Sequence, residues 1–291
     1  MRICVIAFVV LTLTSCEKNI NFNLKTSEPV VVVDAQIEDG QPPIVVLTNS
    51  LNFFSAINAQ IFENAYIHNA DVFVSNGVLT HKLKEYALPL PIGFTAYFYS
   101  NDVGAPINSF VGQLNSNYTL KVITNGKEYN ANTFIPSNAF KLDSIWTKIA
   151  PQNTDTLKRV LFFKATDPIG YGNFGRYFTK KNSSIFLPGY NSVFDDQIID
   201  GTTFTSLLPQ GVDRNENIKS DSNFFKKGDT ISVKFCNISK PAYTFWNSWE
   251  FAYQSNGNPF AQPNKVIGNI SNGALGAFCG YAVQYKTLVS Q

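Results

Sequence analysis

The sequence contains little of the residues that catalytic and metal sites most often use. It has 2 histidines, 4 cysteines and 1 methionine in 291 residues. No CxxC pair and no paired histidines accompany the cysteines, which argues against a zinc site. The Walker, GxGxxG and HExxH patterns are also missing from the sequence. These absences favour a binding or structural protein over an enzyme.

The chain also lacks an excess of charge of either sign and has no long apolar segment. Lys and Arg total 23 against 21 for Asp and Glu, with no basic stripe and no acidic tail. Nucleic acid is therefore not expected as a partner, and neither is docking to a membrane through a polybasic patch. No apolar run beyond the N-terminus approaches 18 residues, so no transmembrane helix is predicted.

The first residues have the pattern of a secretory signal. Arg2 supplies a positive charge, and Ile3–Leu13 is an almost unbroken apolar run that is too short to span a bilayer. The run leads through Thr14-Ser15 into Cys16, which resembles the lipobox of bacterial lipoproteins. This resemblance implies that residues 1–15 are removed and that Cys16 becomes an acylated, membrane-anchored N-terminus. The alternative is an ordinary secreted protein with a chance cysteine near the cleavage site.

The segment after the cysteine, residues 16–25, is expected to form a tether. Glu17 follows the cysteine, whereas an Asp at that position tends to hold lipoproteins of enteric bacteria at the inner membrane. The outer membrane is therefore favoured, and the sequence leaves open which of its faces carries the protein.

Aromatic and β-branched residues predict a mainly β protein. Phe occurs 25 times and Tyr 13 times, and Val, Ile and Thr are frequent, which favours strands. The clearest local signal is a hairpin, in which Tyr118–Thr124 and Lys127–Phe134 flank Asn125-Gly126, a dipeptide that favours a type I′ turn. Short strands separated by turns are typical of β-sandwiches, so we predict two antiparallel β-sandwich-like domains.

The predicted domain boundary lies at Ile135-Pro136-Ser137. The first domain, residues 26–136, begins with a buried strand at Val30–Val33, and its order of pieces is similar to transthyretin-like and carboxypeptidase-regulatory sandwiches. The second domain, residues 137–291, should be β-rich with one amphipathic helix near residues 241–254. Its predicted strands are Leu142–Ile149, Arg159–Thr166, Arg176–Lys180 and Thr230–Phe235.

The predicted helix carries an aromatic stripe. Ala242, Phe245, Trp246, Trp249 and Tyr253 recur at the spacing of one helix face. We favour packing of this stripe on a sheet as core, because an exposed aromatic stripe is an apolar patch that monomers avoid. The alternative is that Trp246, Trp249 and Tyr253 form a stacking platform for a ligand.

Two cysteines remain for the mature body once Cys4 leaves with the signal and Cys16 is acylated. Cys236 and Cys279 are an even pair in a compartment that permits disulfides. They are a candidate disulfide, and two buried free thiols are the alternative.

Other reactive side chains are sparse. A hydrolase would have to use His68 or His81, and neither has a GxSxG-type nucleophile pattern near it. Asp195, Asp196 and Asp200 could offer loop oxygens to calcium, but their spacing is not that of an EF-hand. We therefore predict no catalytic residues, no metal and no cofactor, with calcium near these aspartates left open.

The C-terminal part carries the most specific family signal, the run from Asn269-Ile270 through Asn272–Phe278. With Lys227–Thr230, Asp195-Asp196 and the lipobox followed by Glu17-Lys18, it resembles the bacterial lipoprotein family called domain of unknown function 4249. The resemblance covers essentially the whole mature chain. One departure is Asp34-Ala35, where the family has a Glu-Gly type pair, and we expect this difference to affect a turn and no site.

What this resemblance implies is an outer-membrane lipoprotein, typically encoded beside a TonB-dependent receptor, with no catalytic residues to carry over. We therefore expect a non-enzymatic accessory or ligand-binding partner of a TonB-dependent nutrient transporter. Its expected partners are the membrane, reached through the lipid anchor, a TonB-dependent outer-membrane receptor and a small nutrient. The alternatives are an envelope structural or adhesion lipoprotein without ligand and a lipid-anchored hydrolase. Recognition loops are expected at Ile169–Gly175 and Asn256–Gly273.

Overall fold

The computed structural model describes residues 28–51, 58–90, 93–151, 153–215, 224–256 and 264–291. It confirms a mainly β protein with several antiparallel sheets and a sandwich-like arrangement. The signal segment, Cys16, the tether and part of Asn256–Gly273 lie outside these ranges. Within them, no helix combines the length and apolar character that crossing a membrane requires.

The regular elements are numbered here in chain order. The helices are α1 (Ala59–Ala65) and α2 (Lys240–Ser255), with a short 3-10 helix at Pro106–Asn108. The strands are β1 (Val31–Glu38), β2 (Ile44–Asn49), β3 (Asp71–Ser75), β4 (Thr80–Lys82), β5 (Lys84–Leu90), β6 (Phe94–Ser100), β7 (Ser116–Thr124), β8 (Lys127–Ile135), β9 (Lys141–Ile149), β10 (Lys158–Thr166), β11 (Phe174–Lys181), β12 (Leu187–Asp195), β13 (Thr203–Leu207), β14 (Phe225–Lys226), β15 (Thr230–Ile238) and β16 (Leu275–Val289).

The largest sheet has eight strands in the order β12-β11-β15-β16-β1-β2-β6-β5. Its neighbours are antiparallel except for β1 and β16, which pair in parallel with Asp34 opposite Ala277. The sheet therefore takes strands from both sides of the predicted boundary at residue 136. That boundary stays a prediction, and the pairing of the first and last strands is a feature that no local pattern indicates.

Two four-stranded sheets lie against one face of the large sheet. One has the order β4-β3-β7-β8, and its Val72 and Val122 form a core with Val33 and Ile37 of β1. In the other, β10 pairs with β9, β13 and β14, and a second core joins β10 to the Val233 and Phe235 face of β15.

Helix α2 covers part of the opposite face of the large sheet. Because side chains alternate along a strand, Cys236 and Ile238 of β15 face away from the second core. They pack with Phe245 of α2 and with Cys279 and Tyr281 of β16 in a third core. The helical stripe therefore meets the sheet, as the favoured interpretation predicts for Phe245.

Local patterns located several elements correctly. The predicted hairpin is present as β7 and β8, with positive φ at Asn125 (49°) and Gly126 (70°). The helix predicted near residues 241–254 spans Lys240–Ser255. The four strands predicted after residue 137 are β9, β10, β11 and β15, each slightly longer than predicted. The longest strand, β16, was not predicted, because its glycines interrupt the usual strand composition.

The disulfide interpretation of Cys236 and Cys279 is wrong for this structure, in which both are buried free thiols. Cys236 pairs with Val283, which lies four residues beyond Cys279 on β16. Four residues of strand separate the two positions by about 13 Å, whereas a disulfide needs Cα atoms within about 7 Å. Burial raises the pKa of each thiol to about 12, which leaves both sulfurs protonated and unreactive.

Candidate functional site

A cavity of about 760 Å³ lies beside α2, at the start of the parallel pair β1 and β16. Volumes of this order are typical of small-molecule sites. Three parts of the chain form its walls: Val32, Val33 and Asp34 of β1, Phe245, Trp246 and Trp249 of α2, and Lys265, Val266, Gly268, Ile270 and Gly273–Gly276.

The wall contributed by residues 264–276 contains most of the run from Asn269 to Phe278 on which the family resemblance rests. Asn269 Nδ2 donates to Asn132 O and to Phe278 O, and Asn269 Oδ1 accepts from Phe278 N at 2.8 Å. Gly276 has φ +97°, and a Cβ added there would lie 2.0 Å from Val33 O. Only glycine therefore allows β16 to approach β1 at this point, so the run positions the cavity wall.

The aromatic wall combines packing with exposure to the cavity. Trp246 Nε1 donates to Tyr281 Oη at 2.8 Å, and the Arg176 guanidinium carbon lies 3.4 Å from the centre of the Trp246 ring. Trp249 stacks on Tyr253 with 8° between the ring planes. Both tryptophans are half-buried and line the cavity. Core packing and a ligand surface are therefore compatible roles for this stripe.

Of the three residues predicted as a ligand platform, Trp246 and Trp249 line the cavity and Tyr253 does not. Its hydroxyl donates to Arg214 O at 3.1 Å, and its ring contacts Tyr190 edge to face. Among the described residues it is not part of the cavity wall. It supports Trp249 from behind instead of presenting its own ring to the cavity.

Asp34 is the carboxylate in this cavity, and the interpretation of its position as part of a turn is wrong. It lies in the middle of β1 and is the exposed member of a strand whose other residues are buried or half-buried. Asp34 remains exposed to solvent within the cavity, but many protein atoms surround its carboxylate. This partial desolvation raises the pKa of Asp34, and the positive charge of Arg176 opposes the shift. An acidic group in an aromatic cavity can bind a cation when ionised or donate a hydrogen bond when protonated.

A buried polar network fixes α2 against the sheet next to the cavity. Glu250 accepts from the backbone N of Ser192 at 2.9 Å and from its hydroxyl at 2.5 Å, and Arg214 Nη2 donates to Glu250 at 3.2 Å. Arg176 donates to Ser192 Oγ and to Tyr281 Oη, each at 3.1 Å. This network fixes the position of α2 and of the Arg176 guanidinium, which packs on the Trp246 ring.

The two histidines lie away from the cavity. His68 Nδ1 is 2.5 Å from Glu85 Oε1, and His81 Nε2 accepts from Asp102 N at 3.0 Å. In the described part of the chain, neither makes a hydrogen bond to a serine or cysteine side chain. Burial lowers the pKa of His81, which keeps it neutral as an acceptor.

These features define a class of protein, a mainly β protein with an aromatic-lined cavity whose described walls include the carboxylate of Asp34. A comparison with family models matches residues 17–287 to the family described as a domain of unknown function, DUF4249. The chain belongs to that family. A comparison with curated proteins finds no match.

Sequence reasoning missed Asp34 and Lys265 as members of the site. The sequence of β1 indicates that Asp34 is unusual, since it is a charged residue that follows three valines within a strand. Local sequence patterns do not predict the pairing of β1 with β16. This pairing brings the C-terminal run beside the Asp34 carboxylate.

Proposed function

We propose that this protein is an outer-membrane lipoprotein that binds a small nutrient and acts as a non-enzymatic partner of a TonB-dependent transporter. The observation that carries the proposal is the cavity of about 760 Å³ with Asp34 among Phe245, Trp246 and Trp249. A site of that kind suits capture and transfer of a ligand, because apolar walls supply affinity and a few polar groups, here Asp34 and Lys265, supply orientation.

The walls also suggest the kind of ligand. The tryptophans offer flat apolar surfaces, and Asp34 offers a carboxylate next to them. A molecule with a flat or apolar face and a cationic or hydrogen-bonding group would satisfy both.

A contact surface for the receptor is supported by exposed apolar side chains on two loops. Ile169 is 90% exposed and Tyr171 76% exposed between β10 and β11, and Ile198 is 96% exposed after β12. Exposed apolar residues on neighbouring loops are a frequent basis of protein recognition. A lipid anchor would keep this surface close to a receptor in the same membrane, so a modest interface could suffice.

The anchor is tested at Cys16. Cys16→Ala should abolish labelling by a fatty-acid probe and release the body from the membrane fraction, because the acylated thiol would be the attachment point. Cys4→Ala is the matched control and should leave labelling and sedimentation unchanged, because Cys4 lies within the segment that is removed. A Cys16→Ala protein that still labels and still sediments would end the lipoprotein interpretation.

The ligand role is tested at Asp34. Deleting this gene and deleting the receptor gene should slow growth on the same nutrient, and wild-type protein should restore growth. Asp34→Asn keeps the shape of the side chain and removes its charge, so it should restore growth poorly while folding normally. Asp71→Asn changes an exposed aspartate that pairs with Lys82 and should restore growth fully. Equal growth with both variants would argue against Asp34 as a ligand contact.

A further inference from the structure

Three aspartates meet where the loop after β10 approaches the turn after β12. Asp167 follows β10, and Asp196 and Asp200 follow β12. One carboxylate oxygen from each lies within 4.8 Å of the others. Asp167 and Asp196 are each only 2% exposed, so two of these charges are nearly withdrawn from bulk water.

Backbone N–H groups hold the three carboxylates in position without neutralising their charge. Gly172 and Asn173 donate to Asp196 Oδ2, each at 2.8 Å, Gly170 donates to Asp200 Oδ1 at 2.6 Å, and Gly201 donates to Asp167 Oδ2 at 3.2 Å. Among the ion pairs of the described residues, none includes one of these aspartates.

One carboxylate oxygen of the cluster, Asp167 Oδ1, is evidence for a bound ligand. Asp167 Oδ1 is buried and has no hydrogen-bond partner in the ranges that the structure describes. A buried carboxylate oxygen without a partner is strongly unfavourable, and neighbouring carboxylates make it more so.

We propose that Asp167, Asp196 and Asp200 bind one calcium ion. Calcium takes oxygen ligands in flexible geometry, and carboxylates on loops supply them, with water or backbone carbonyls completing the shell. Magnesium demands a stricter octahedral arrangement, and zinc prefers nitrogen and sulfur ligands, so neither suits this site as well. The ion would neutralise the cluster and give Asp167 Oδ1 a partner.

The sequence alone suggests a site made of Asp195, Asp196 and Asp200, and the structure replaces one of these residues. Asp195 Oδ2 accepts from Tyr243 Oη at 3.2 Å, and Asp195 is not part of the cluster. Asp167 takes its place. A bound ion would join the two loops that carry Ile169, Tyr171 and Ile198, and the proposal does not depend on what those loops contact.

The test is calorimetric titration of calcium chloride into the chelator-treated, then dialysed, mature protein. Wild-type protein should bind one equivalent, and Asp195→Asn, the matched control, should bind with the same affinity. Asp200→Asn should bind at least about tenfold more weakly, since even indirect partners of metal ligands contribute that much. Asp200 is only half-buried, so this variant is expected to fold.

A melting experiment separates loss of binding from loss of folding. In chelator, Asp200→Asn should melt at the wild-type temperature or above it, because the substitution removes repulsion between carboxylates. With calcium on the order of 1 mM, the range of extracellular calcium modules, wild-type protein should melt at a higher temperature and Asp200→Asn should not respond. No heat and no melting shift in wild-type protein, or wild-type affinity in Asp200→Asn, would overturn the proposal.

Discussion

Replacing Trp246 with alanine should lower the free energy of unfolding by about 3–5 kcal/mol, the range for removal of a large aromatic side chain from a packed site. The substitution deletes the ring that the Arg176 guanidinium covers. It also removes the donor to Tyr281 Oη, a hydroxyl in a residue that is only 2% exposed. Urea unfolding should show a lower midpoint with an unchanged slope, as expected for lost native stability.

Phe251 of the same helix provides the control for Trp246. It is an aromatic residue that is 54% exposed, so Phe251→Ala removes a ring without opening the packed face. Its effect should stay within about 0.5 kcal/mol. If Trp246→Ala were equally mild, Trp246 would act as a ligand surface without a role in packing, and our preference for core packing would be wrong.

Replacing Glu250 with glutamine should also destabilise the fold by about 3–5 kcal/mol, because it removes one partner of a buried ion pair and leaves the other charge uncompensated. Glu250 is the acceptor for Arg214 and for the backbone and hydroxyl of Ser192. Without this charge, the largely buried Arg214 guanidinium would lose the carboxylate with which it pairs. Thermal and urea unfolding of the purified variant measure the loss.

The exposed pair of Asp71 and Lys82 gives the comparison for this buried pair. Asp71 and Lys82 are each at least half exposed, so Asp71→Asn should change stability by about 0.5 kcal/mol or less. A Glu250→Gln protein as stable as Asp71→Asn would show that the network beside α2 contributes little to holding the helix.

The elements that the sequence predicts well are those whose cause is local. Asn125 and Gly126 adopt the positive φ values that their hairpin requires, and that preference belongs to the residues themselves. The stripe from Ala242 to Tyr253 contains its own helical period, and Pro241 fits the first turn. Alternating apolar residues likewise identified β7 and β15.

The elements that sequence reasoning missed depend on contacts between distant segments. Asp34 pairs with Ala277, which lies far along the chain, and the sequence around either residue does not predict this pairing. Asp167 joins Asp196 and Asp200 only because two loops meet, whereas proximity in sequence selects Asp195 instead. Counting cysteines suggested a bond between Cys236 and Cys279, but strand register holds them apart.

The structure explains why particular residues occur in the run from Asn269 to Phe278, on which the family resemblance rests. Asn269 and Gly276 allow β16 to lie against β1, and the same segment then forms a wall of the cavity. Two residues of the run that carries the resemblance, Asn269 and Gly276, therefore have an architectural role.

The most direct test of a transporter partnership is affinity purification of the tagged protein from gently solubilised outer membranes. We expect this purification to recover one dominant receptor the size of a TonB-dependent barrel. Tyr171→Ser, which changes an exposed loop side chain, should reduce that recovery, whereas Tyr285→Ser, at an exposed side chain of β16, should not. A protein that is purified alone in several mild detergents would contradict the proposed function.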